Sequence, residues 1–161
     1  MFVTLEGVDA LDRQFAGLPP NMKARLEAKA REIAAALATK VRDEKLSGQS
    51  LQSRSGALKA SIGAEISLDG SALNAIVGSF GDVKYAAIQE YGGRTAAHEI
   101  LSAKGHVLAF LAGGMTSFAR SVQHPGSTIP AHNYLLGSLN DSRDAIVAEL
   151  ASVANEVWSA R

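Results

Sequence analysis

Four histidines, His98, His106, His124 and His132, fall within one 35-residue stretch of this chain. Imidazoles brought together in a fold ligate transition metals, so this cluster is where chemistry is sought first. The spacing is eight, eighteen and eight, with no HExxH and no pair at i, i+4, so no two rings are set on one helix face. His124 and His132 each border a proline loop. The glycine pairs Gly92-Gly93 and Gly113-Gly114 lack both the G-x-x-x-x-G-K-[ST] and the G-x-G-x-x-G phosphate-binding patterns and read as turns. No G-x-S-x-G elbow is present. Lys23, Arg25, Lys29, Arg31, Lys40, Arg42 and Lys45 are interrupted by Glu27, Glu32, Asp43 and Glu44, as on a solvated helix face rather than a stripe facing nucleic acid. No catalytic residue, metal or cofactor is assigned. A small nucleic-acid-binding module and, below it, a histidine-metal hydrolase stand as alternative readings.

Composition narrows the classes further. The 161 residues hold 16 Lys plus Arg against 16 Asp plus Glu, so no net field draws the chain to a polyanion. The chain has no cysteine, which excludes disulfides, zinc fingers, iron-sulfur clusters and thiol catalysis. MFVTLEGVDAL carries acids where a signal peptide needs a basic start, and no apolar run approaches the roughly 20 residues that span a bilayer. A soluble single domain over residues 1–161 is the expectation.

The elements that must position any site follow from periodicity. Phe2, Val3 and Leu5 predict a short strand closed by Gly7, and VDALDRQFAGL a short helix. From Pro20 to about Lys45 nothing breaks a helix whose predicted buried stripe is Leu26, Ala30, Ile33, Leu37 and Val41. Ser47 to Gly56 is serine- and glycine-rich and predicts a mobile loop, as does the aperiodic stretch 92–106. Leu58, Ala60, Ile62, Ala64, Ile66 and Leu68 alternate with polar or small residues, predicting a strand that returns through DGS as LNAIVGS. VKYAAIQEYGGR places Tyr85, Ile88 and Tyr91 on one face of a short helix ended by Gly92 and Gly93. Val107 to Leu111 and Met115 to Val122 predict a second hairpin, and the chain closes in a helix from Tyr134, with Asn140, Asp141 or Ser142 capping its main body and Leu136, Leu139, Ile146, Leu150, Val153 and Val157 marking its buried face. The sum is an α+β fold: an antiparallel sheet of two hairpins plus an N-terminal strand, packed against two long helices.

Four separated segments, SRSGALKASI, VGS…YAAIQEYGG, FARSVQHPG and IPAHNYLLGSLND, stand in this order before the closing helix. Together they resemble the tail-completion and virion-morphogenesis proteins of long-tailed bacteriophages, over about residues 50–150. Many members of that family read P-A-R-P-F-L where this chain has Pro130, Ala131, His132, Asn133, Tyr134 and Leu135. The resemblance implies a non-enzymatic structural protein of the virion neck or tail. It would be a terminator subunit forming a homomeric, expectedly hexameric, ring that closes the tail tube, with the major tail tube protein and the head–tail connector or stopper proteins as partners. No membrane and no sequence-specific nucleic acid is implied. Carried onto this chain, the resemblance places a subunit interface at Arg54, Ser55, Gly56, Tyr85, Glu90, Tyr91, Gly92, Arg94, His124, Pro125, Pro130, His132 and Tyr134.

Overall fold

Pro20 opens the longest stretch without a helix breaker in the N-terminal half, and it folds as α1, Pro20–Lys40. Proline suits a first turn, where its missing N–H has no helical partner to lose. The computed structural model describes residues 2–3, 20–52, 54–69, 72–102 and 107–159; Leu5, the helix expected in VDALDRQFAGL, Val157's side chain and His106 lie outside the described residues. Along α1 the buried residues are Met22, Leu26, Ala30, Ala34 and Ala38, with Val41 beyond its end. The stripe is therefore rotated from the expected one, and Ile33 and Leu37 sit half-buried at its margin. Alanine takes the centre because a methyl group lets neighbouring backbone approach closely. Past Lys40 the helix widens into a π turn, Val41–Lys45, in which the Leu46 N–H donates to the Val41 carbonyl at 3.0 Å. The wider turn puts both Val41 and Leu46 into the core.

β1, Phe2–Val3, pairs with β3, and β2, Ile62–Asp69, pairs with β3, Ala72–Ser79, giving an antiparallel sheet in the order β1-β3-β2. The register runs from Ile62 opposite Ser79 to Asp69 opposite Ala72. The expected strand start at Leu58 is corrected: Ala57–Ser61 is a short helix, α2, entered through Gly56 at φ 76°. Alternation misleads there because Leu58 and Ile62 are also four apart, and both are buried on the helical spacing. The loop before α2 is tied down more than its composition suggests. Leu51 packs on the core, and the Ser50 and Leu51 N–H groups both donate to the Lys45 carbonyl.

The closing helix α4, Tyr134–Ser159, is continuous for 26 residues, so Asn140, Asp141 and Ser142 lie inside it and cap nothing. It packs mainly across α1 rather than on the sheet, antiparallel to it. Val153 meets Met22 and Leu26, and Lys29 pairs with Glu149 at 3.7 Å and Lys45 with Asp141 at 2.8 Å. The Lys45 ammonium, first through its hydrogen bond and then through its charge, holds the Asp141 carboxyl below the usual carboxylate value. Arg25 with Glu156, Arg31 with Glu27, Lys40 with Ser142 and Arg42 with the Ile62 carbonyl occupy most of the remaining basic residues. The positive face of α1 is thus largely paired within the chain. Among the described residues no helix is long and apolar enough to cross a membrane.

The fold is α+β as expected, but the second hairpin is not part of the three-stranded sheet. It belongs to a separate two-stranded arm.

Because Ala38 is buried between elements while Ala35 faces water, Ala38→Leu should overpack the core and lower unfolding free energy by about 1–3 kcal/mol. Ala35→Leu should change it by less than about 0.5 kcal/mol. Paired urea titrations check the contrast.

Candidate interface: a two-stranded arm on a capped root

Ala86–Tyr91 forms the short helix α3 where VKYAAIQEYGGR predicts one. The face carrying Tyr85 and Tyr91 is not the one it turns to the core. Ala86 and Glu90 are buried, Glu90 with 0% exposure, whereas Tyr91 is 58% exposed and Tyr85 also faces out. A glutamate goes inside because it has a task there. The Leu135 N–H donates to its Oε2 and the Leu136 N–H to its Oε1, each at 2.8 Å. These are the second and third N–H groups of α4, since the Gly137 N–H already closes onto the Asn133 carbonyl. They are the donors that a capping side chain ordinarily satisfies, and the positive end of the helix dipole adds to the attraction.

The capping is reciprocal. The end of α3 has its own orphan carbonyls, and the segment entering α4 supplies donors to them. The His132 N–H donates to the Gln89 carbonyl at 2.9 Å and the Asn133 N–H to the Glu90 carbonyl at 3.1 Å, while at the first residue of α3 the Ala86 carbonyl also accepts from the Tyr134 hydroxyl at 3.1 Å. Asn133 adopts φ 48° to make this turn. Tyr134 is fully buried, and burial first, then the Glu90 charge, holds its hydroxyl well above the ordinary tyrosine value of 10.0. Gly92 follows at φ 71°, ψ −178°, a backbone region that is essentially glycine's alone. A Cβ there would stand 2.8 Å from the Ala131 nitrogen.

From this root rises the arm. β4, Gly93–Arg94, pairs with β9, Thr128–Ile129, and β5, His98–Leu101, pairs with β8, Ser121–His124, in one unbroken register. Between them the Thr95 N–H donates to the Ser127 carbonyl at 2.9 Å, and beyond them the Ser102 N–H donates to the Arg120 carbonyl at 3.0 Å. The stretch 92–106, expected to be an irregular mobile loop, therefore contains two strands. Past a shift of register, β6, Leu108–Ala112, pairs with β7, Met115–Ala119, around Gly113 and Gly114 at φ 58° and 84°, the two positive values that a tight hairpin turn requires. The predicted strand Met115–Val122 is thus two strands, broken at Arg120. Leu101, Leu111, Met115 and Phe118 are exposed along this arm.

The expected interface residues divide accordingly. Tyr85, Tyr91, Gly92, Pro130 and His132 surround the root, and Arg94, His124 and Pro125 lie on the arm. Glu90 and Tyr134 are corrected: both are internal, because they join the two helices to each other. Arg54, Ser55 and Gly56 form the turn that starts α2, with the Ser55 hydroxyl accepting from the Ala57 N–H at 3.4 Å. The described histidines do not converge. His98 and His124 are a cross-strand pair whose rings stack at 5.0 Å, and the Gly126 N–H donates to His124 Nδ1. His132 sits apart, its Nδ1 donating to the Ser50 carbonyl at 2.9 Å, so it fastens the 47–52 loop to the entry of α4. Among the described residues no group of three or more His, Cys, Asp or Glu is arranged to hold a metal.

Tyr85, Tyr91, Arg94 and His124 lie in this region, but the arm's exposed apolar residues were missed. Their signal was a run without charge, VLAFLAGGMTSFA. No protein-family model, curated protein or solved structure matches the chain.

Glu90→Ala should lower unfolding free energy by about 2–4 kcal/mol, since two buried N–H groups lose their acceptor. The neighbouring Tyr91→Ala should shift it by only about 0.5 kcal/mol; chemical denaturation separates the two. Tyr134 titrates above its unfolded value, so its contribution to stability is complete below pH 10.0 and is lost as pH rises toward the folded value. Tyr134→Phe should abolish that component of the alkaline stability loss, together with the latest-ionising phase of the ultraviolet tyrosine titration.

Proposed function

We propose that this chain is a structural protein of a long-tailed phage or phage-like particle, a tail-completion ring subunit at the head–tail junction. The reading rests on the resemblance of its segments, and one observation carries it beyond sequence. YAAIQEYGG and IPAHNYLLG, two of the segments on which the resemblance depends, lock together through Glu90 and the Leu135 and Leu136 N–H groups, 45 and 46 positions away. Residues that are scattered in the chain thus belong to one construction, the root from which an apolar arm projects. A rigid body carrying an exposed arm suits a subunit that clasps its neighbours.

Tyr91 belongs to that exposed root, and tyrosine supplies rigid amphipathic area at interfaces. Truncating one at the centre of a contact removes roughly 2 kcal/mol or more of association. In a strain whose particles carry this chain, Tyr91→Ala should leave a folded subunit but give capsids and tails that accumulate unjoined, seen by electron microscopy. The unaltered chain should be found by mass spectrometry in gradient-purified particles. Its absence from them, or normal infectious particles from the folded Tyr91 variant, would overturn the reading.

A further inference from the structure

The lower arm is built in two lengths, β4 with β9 and β5 with β8, which meet at residues 95–97 and 125–127. Pro125 has no N–H to give to a ladder. Gly126 turns at φ 86°, so close to Thr95 that a Cβ there would collide with the Thr95 carbonyl oxygen. Hydrogen bonds close this joint. The Thr95 N–H donates to the Ser127 carbonyl at 2.9 Å, the Ser127 N–H to Thr95 Oγ1 at 2.7 Å, and the Gly126 N–H to His124 Nδ1 at 3.0 Å. Only the last of these has an acceptor that a proton can switch off near neutral pH.

The two rings of the stacked pair are set in opposite ways. His98 Nδ1 faces the Ala96 carbonyl at 3.2 Å and carries the hydrogen of that bond, so its Nε2 has the free lone pair. His98 therefore takes a second proton without losing a bond. His124 is the reverse. Its Nδ1 accepts, its Nε2 holds the hydrogen of the neutral ring, and a second proton has only Nδ1 to go to. That proton sets N–H against the Gly126 N–H. It also adds charge to a ring whose centre lies 5.0 Å from that of His98. The same assignment leaves His124 no free lone pair for a metal shared between the rings.

Other charges do not relieve this. β5 and β8 pack chiefly on each other. Glu99 and its opposite Gln123 point to the other face of the ribbon from the histidines. Arg94 on β4 and Arg120 just before β8 each stand four residues from the pair, about 13 Å along a strand, and neither bonds a ring. The distal hairpin Leu108–Ala119 carries no charge. We propose that His124 is a proton-operated latch on the arm, closed while its imidazole is neutral. As pH falls and His124 gains its second proton, the Gly126 bond is lost, the joint at 125–127 opens, and everything beyond it swings free of the root. The latch stands on the arm's own geometry and is independent of the virion reading.

NMR of the full chain tests it, with amide exchange corrected for its intrinsic pH dependence. Between about pH 8 and pH 5 the Gly126 amide should lose about tenfold or more of its protection, in step with the His124 ring signals, while the Ala38 amide in the body keeps its own. His124→Asn should abolish the loss, because an Asn Oδ1 accepts from the N–H two residues on and takes up no proton in this range. A dye on Thr116→Cys, unique in a chain without cysteine, should show anisotropy falling over the same range, and in the His124→Asn background it should not. Gly126 protection that is equal at both pH values, or lost equally in His124→Asn, would overturn the latch. Should that substitution itself disturb the arm, the unaltered chain decides: Gly126 opening with the His124 titration while Ala38 stays closed supports the latch, and opening together with Ala38 sinks it.

Discussion

One buried carboxylate sets the relation between most parts of this molecule. Glu90 has no solvent to solvate its charge, and an unpaired carboxylate in that position would be several kcal/mol unfavourable. Two short charge-assisted hydrogen bonds and the N-terminus of a 26-residue helix replace the lost water. In return α3 and α4 hold one orientation, and the chain between them, residues 92–133, must leave and return at the same place. The arm is therefore a consequence of the clamp. Gly92 admits the outgoing strand against the Ala131 and Ile129 backbone, and Asn133 in a left-handed conformation admits the returning one to its helix.

Burial on one side is what writes periodicity into a sequence, and this decides which elements could be read from it. The helix from Pro20 and the β2–β3 pair each pack one face on the core, and both were legible. The phase of α1 was not, because alanine satisfies both the inner and the outer surface of a helix. In the arm the distal hairpin was legible from its glycine pair, but the outgoing strand of the proximal ladder, in 92–106, showed no alternation; the stretch that looked irregular is a ladder when its backbone is followed. Glu90 was read with an interface motif and not as the internal cap that it is. Sequence marks a glutamate as polar and is silent on whether its partners are water or the first N–H groups of a helix 45 residues away.

Charge follows the same logic of internal use. Lys29, Lys45 and Arg25 meet acids of α4, and Lys29 is also paired with Glu32 on its own helix. Exposed, solvent-screened pairs of this kind contribute little each, but they favour the antiparallel order of the two helices over the parallel one. The basic residues of α1, read from sequence as a solvated helix face, are largely matched within the body, whereas the distal hairpin Leu108–Ala119 carries no charge at all.

The ladder geometry of that projection also governs how its reach could change over evolution. Each added pair of opposed residues extends a ribbon by about 3.3 Å and turns the next side chains to the opposite face. Insertions of one residue per strand near Gly113 and Gly114 would therefore invert the pattern at the tip, while insertions of two per strand would preserve it. Lengths compatible with an unchanged contact surface are thus quantised in steps of roughly 6.6 Å, and the clamp at the base would leave the body indifferent to which step is taken.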